Sequence, residues 1–99
     1  MLYRHGDVRV QQVPALPSEA EKRMGTVLAH GELTGHAHRI QDPLSVQFWQ
    51  SGGETYFEVL AEQALLVHEN HRTIALPQGV YHSWMQRAYS PAAILRVRD

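Results

Sequence analysis

A chain of 99 residues, 43% of them hydrophobic and with a net charge of −1, has the size of one domain built on one core. It contains no cysteine, which excludes a disulfide framework, a thiolate metal site and a thiol nucleophile. Its arginines are scattered from Arg4 to Arg98 and its only lysine is Lys22, so no concentrated basic face is expected to meet a phosphate backbone, and nucleic acid is not an expected partner.

Taken in chain order, the sequence alternates with a period of two and nowhere sustains a helical period for three turns. The first charges, Arg4 and Asp7, are not followed by an apolar stretch, so no signal peptide is expected. The longest apolar runs, such as Ala64–Val67, fall far short of the roughly 20 residues of a membrane span. The expected location is the cytoplasm, with no membrane partner. Asp7–Val13 places Val8 and Val10 on one face. Ser18–Arg23, with Ser18 and Glu21 as a capping box, is the one helical candidate, a single short turn. Thr26–His30 alternates Val27 and Ala29 against Leu28 and His30. Leu44, Val46 and Phe48 share a face, as do Thr55, Phe57 and Val59 beyond the Ser51-Gly52-Gly53 turn; this is the clearest hairpin in the chain. Further short runs fall at 65–68, 72–76, 80–87 and 93–98, punctuated by Asp42-Pro43, Glu69-Asn70, Pro77-Gln78-Gly79 and Ser90-Pro91. Many short strands with turns at this spacing predict an all-β sandwich or small barrel in a single domain over residues 1–99.

Seven histidines are the unusual feature of the composition. In a strand over 36–40, His36, His38 and Ile40 point the same way. Two imidazoles about 7 Å apart at their Cα atoms can lean onto one ion at roughly 2.0–2.1 Å from each nitrogen. His68 and His71 flank Glu69-Asn70. A two-residue loop there would set the two rings opposite each other, whereas a three-residue loop would pair Val67 with His71 and leave His68 in the turn. His82 shares a largely apolar face with Val80 and Trp84. His5 and His30 have no partner nearby in the sequence and are read as ordinary histidines.

The pattern Gly31-x4-His36-x-His38-x3-Asp42, followed by Pro77-x-Gly79-x2-His82-x3-Gln86, resembles the two motifs of the cupin family, with Asp42 standing for the family's glutamate and Gln86 for its asparagine. The resemblance implies a jelly roll in which His36, His38 and His82 ligate a metal and Asp42 occupies the acidic ligand position. Residues 31–40 together with 68–81 are also similar to a family of small uncharacterised bacterial and phage-associated proteins, which implies no activity.

The resulting expectation is an all-β small barrel or cupin-like jelly roll. Its site would draw on His36 and His38, joined by His82 or His71, with His68 and Asp42 as further candidates. Imidazole with an occasional carboxylate suits Zn, Fe, Ni, Cu or Mn. An open coordination position would let such a metal act on a small molecule, and a cupin-type metalloenzyme is one reading. The competing reading is a non-catalytic module that self-associates, as a homodimer, or binds a partner through Trp49, Tyr56, Trp84 and Tyr89.

Overall fold

Each hairpin follows from its turn. Gly6-Asp7, with Gly6 at φ 63°, joins β1 (Leu2–His5) to β2 (Val8–Val13). After β3 (Glu21–Arg23), β4 (Val27–His30) and β5 (Ala37–Ile40), the Gly52-Gly53 pair at φ 56° and 79° joins β6 (Val46–Ser51) to β7 (Glu54–His68). Positive φ at both central residues suits the twist of a tight hairpin. Glu69-Asn70 then joins β7 to β8 (His71–Met85). The computed structural model describes residues 1–30 and 36–86; the run expected at 93–98 lies outside them, as do Arg87, Tyr89 and Gly31–Gly35. About 70% of the structure is strand. Among the described residues no helix is long and apolar enough to cross a membrane.

The long β7–β8 hairpin is the spine of a sheet ordered β1-β2-β8-β7-β5-β4, with β6 also on β7 and β3 on β6. Its two halves carry different neighbours. Residues 54–59 of β7 pair with β6, whereas Leu66 and Val67 pair with β5; residues 80–85 of β8 pair with β2. Between the halves the register shifts, from Val59↔Gly79 to Gln63↔Pro77. Across this irregularity the buried face changes parity, from Phe57 and Val59 to Ala64 and Leu66 on β7, and from Leu76 to Tyr81 and Ser83 on β8. Bulges bend strands and sharpen twist, and Pro77, which has no N–H to donate, sits where the regular ladder is interrupted. The sheet thereby curls into a half-barrel.

One core fills the curl. It takes Val8, Val10, Val46, Phe48, Phe57, Val59 and Tyr81 from one half and Ile40, Ala64, Leu66 and Leu76 from the other. Phe57 stacks between Phe48 at 5.1 Å and Tyr81 at 5.2 Å between ring centroids. The Tyr81 hydroxyl donates to the Pro77 carbonyl at 2.6 Å, and burial pushes its pKa up to about 12.

Two local expectations are corrected. Ser18–Arg23 contains no helical turn: Ser18 bonds to Glu19 instead of forming a capping box, the chain turns through Ala20 N–H to Pro17 C=O, and residues 21–23 become β3 against β6. The short helix lies instead at Pro43–Ser45, where Asp42 caps the Leu44 amide at 2.9 Å. Leu44 consequently leaves the strand and stands 89% exposed, while Val46 and Phe48 keep the expected inward face.

Candidate metal centre

The curl brings four strand ends to one place. β5 delivers His38, 0% exposed, one step beyond the Arg39↔Val67 pair. The end of β7 delivers His68 and the start of β8 delivers His71, which are paired directly across the two-residue turn. From the far side of the sheet, the end of β1 delivers His5, 2% exposed. Ring centroids are 4.3 Å apart for His38 and His68, 4.6 Å for His68 and His71, and 5.3 Å for His38 and His71. His5 lies 5.0 Å from His38 and 5.5 Å from His71.

The turn that carries His68 and His71 is tied down on both sides. Glu69 accepts hydrogen bonds from the Ala37 amide and from Arg39, each at 3.4 Å, so the hairpin tip is fastened to β5, the strand that carries His38. The Glu69 carboxyl is held below its ordinary range, first by its own backbone amide. Asn70 donates its backbone N–H to His68 Nδ1 at 3.0 Å, and its side-chain amide meets His36 Nδ1 at 3.1 Å.

The donor set fits a transition metal. His38, His68 and His71 each offer one ring nitrogen, and these three atoms lie within 4.8 Å of one another. Three nitrogens at 2.0–2.1 Å from a tetrahedral ion stand about 3.3 Å apart, so closing onto an ion asks each pair to approach by at most about 1.5 Å, within reach of small side-chain rotations. His36, His68 and Glu69 form a second, more exposed set by the same measure, with His68 common to both.

Burial holds the pKa of His5 down to about 4, with the charge of His38 as the next cause; the Arg72 carbonyl acts in the opposite direction. His5 is therefore a neutral imidazole at neutral pH. Its role is hidden in the sequence because its contacts are with His38 and Arg72, 33 and 67 residues away. The available signal was Gly6-Asp7, a two-residue hairpin turn that makes residues 2–5 a strand and puts His5 on the face of Tyr3, which packs on the core.

The remaining candidates stand elsewhere. His82 is on the outer face of β8, where its Nε2–H donates to Glu54 at 2.6 Å and its ring stacks on Tyr56 at 4.7 Å. Asp42 is occupied as the helix cap. The set that the cupin resemblance implies, His36, His38, His82 and Asp42, is thus not gathered at one point. A cavity of about 280 Å3 beside β4 is lined by Val8, Leu28, Thr55, Ser83 and Met85 and by none of the clustered histidines.

No curated protein and no solved structure matches the chain. One family does, over residues 4–86, a span that holds all four clustered histidines. The chain belongs to the family described as a domain of unknown function, DUF8820.

Proposed function

We propose that this domain binds one divalent transition metal through His38, His68 and His71. The observation that carries the reading is the convergence of three ring nitrogens within 4.8 Å of one another from three strands, one of them fully buried. A buried imidazole on the core face is costly unless its nitrogens are satisfied, and a shared metal satisfies several at once. All-nitrogen ligation suits Zn, Ni, Cu or Fe. Three protein ligands leave a tetrahedral ion one position for water or a small molecule, and metal-assisted chemistry on a small substrate is the activity consistent with that position.

Binding has a local cost that makes it visible. The Asn70 amide donates to His68 Nδ1. A metal on Nε2 moves the ring proton to Nδ1, and a metal on Nδ1 takes the amide's place; either way this hydrogen bond is exchanged. The test is calorimetric titration of tag-free protein with zinc. The native chain should take up one equivalent, and His38→Ala, His68→Ala and His71→Ala should each lose it. Retention of full affinity by all three variants would end the proposal.

A second reading rests on the outer face of the sheet. Trp49, Tyr56 and His82 stand in one cross-strand row over β6, β7 and β8, and Trp84 lies 5.0 Å from His82. Aromatic residues are favoured in protein interfaces, and such a row suits a self-associating module. A monomer by sedimentation at tens of micromolar would count against it.

A further inference from the structure

The two nitrogens of His5 are both engaged, and the order of the engagement determines the state of His38. His5 Nε2 lies 2.8 Å from the Arg72 carbonyl oxygen. A carbonyl oxygen can only accept, so His5 Nε2 carries a hydrogen and donates it. A neutral imidazole carries one ring hydrogen, which leaves His5 Nδ1 as an acceptor. That acceptor lies 2.9 Å from His38 Nδ1. The hydrogen between the two rings must then belong to His38, whose Nδ1–H donates to His5. His38 is thereby fixed in the tautomer whose lone pair is on Nε2, the nitrogen a metal needs.

We infer that His5 is the outer-sphere positioning residue of the site: it relays the Arg72 carbonyl to His38, fixing the ring orientation and tautomer of that ligand, and is not itself a ligand. The inference rests on the proposed metal site. Its physical logic is general, because metal-bound histidines donate their second ring nitrogen to an acceptor that sets the tautomer and raises ligand basicity. Here the acceptor is a second imidazole, held in turn by a backbone carbonyl on β8, the strand that supplies His71. One relay therefore ties the β1 end to two of the three ligand strands. It also explains why a histidine 2% exposed stands at the end of β1, where an apolar residue would pack without any polar requirement.

Two substitutions separate this role from packing. His5→Phe keeps a planar ring of similar size and removes both hydrogen bonds. His5→Gln keeps one acceptor for the His38 N–H and one donor for the Arg72 carbonyl. Zinc affinity is measured by competition with a chromophoric chelator, with urea midpoints recorded for each protein. His5→Phe should bind roughly 10- to 100-fold more weakly, and His5→Gln should recover most of the loss. In parallel, long-range 1H–15N spectra of the native protein in chelator should show His38 protonated on Nδ1 and His5 on Nε2, a readout that does not depend on any variant folding. Native zinc affinity in His5→Phe, or His38 protonated on Nε2, would overturn the inference while leaving the three-histidine site standing. A native protein that takes up no zinc would instead remove the site, and the role of His5 with it.

Discussion

Acid should destabilise this protein well above the pH at which its carboxylates titrate, and His5 is the reason. Its folded pKa of about 4 lies below the ordinary 6.5. Between those values the unfolded chain binds a proton that the folded chain does not, so stability rises with pH through that window and is lost as pH falls through it. A separation of 2.5 pH units corresponds to about 3 kcal/mol once both states are titrated, and about 2 kcal/mol of this is already lost at pH 5. For a domain with a total stability of roughly 5–15 kcal/mol, that is a large share. With a urea m-value of about 1–2 kcal/mol/M, the midpoint should drop by roughly 1–2 M between pH 7.5 and pH 5. The assay is urea unfolding in chelator across that range, for the native chain and for His5→Gln, whose slope should be markedly shallower. A native midpoint that does not move above pH 5, or a slope unchanged by the substitution, would refute the assignment of a buried, neutral His5.

Three further outcomes follow from the same geometry. Phe57→Ala removes the middle ring of the Phe48–Phe57–Tyr81 stack at a fully buried position and should cost about 3–5 kcal/mol, read from the shift in denaturation midpoint. His82→Ala should leave zinc uptake unchanged while His71→Ala abolishes it, because His82 is bound to Glu54 on the outer face; the opposite result would restore the cupin ligand set. Zinc loading should shift the Asn70 backbone amide in a 1H–15N spectrum more than the amides of β6, since only the former donates to a ligand ring.

How much of this was legible in the sequence depended on how local the causes were. The β6–β7 hairpin could be read because Gly52-Gly53 supplies positive φ and the alternation on either side is unbroken. The length of β7 could not. Its inward face switches from odd to even positions between Val59 and Ala64, which in the sequence looks like the end of one strand and the start of another. Leu44 reads as a strand residue by periodicity, but Asp42-Pro43 starts a turn that carries it out to solvent. At the site, His36-x-His38 and the His68/His71 pair were visible because the members of each pair lie only two or three residues apart. Their convergence depends on β5 pairing with β7, and the addition of His5 on a curl that no short window of sequence specifies. His82 attracted attention through a motif spacing; the partners that hold it, Glu54 and Tyr56, come from another strand.

The proposed site has three imidazoles, from β5, β7 and β8, sharing one ion. X-ray absorption at the zinc edge of the loaded, tag-free protein tests it most directly. The expected spectrum has a first shell of nitrogen scatterers at about 2.0–2.1 Å with the outer-shell scattering of three histidine rings, and His38→Ala should lose this signature together with the bound zinc. A shell of oxygen alone, or a spectrum that His38→Ala leaves unchanged, would contradict it.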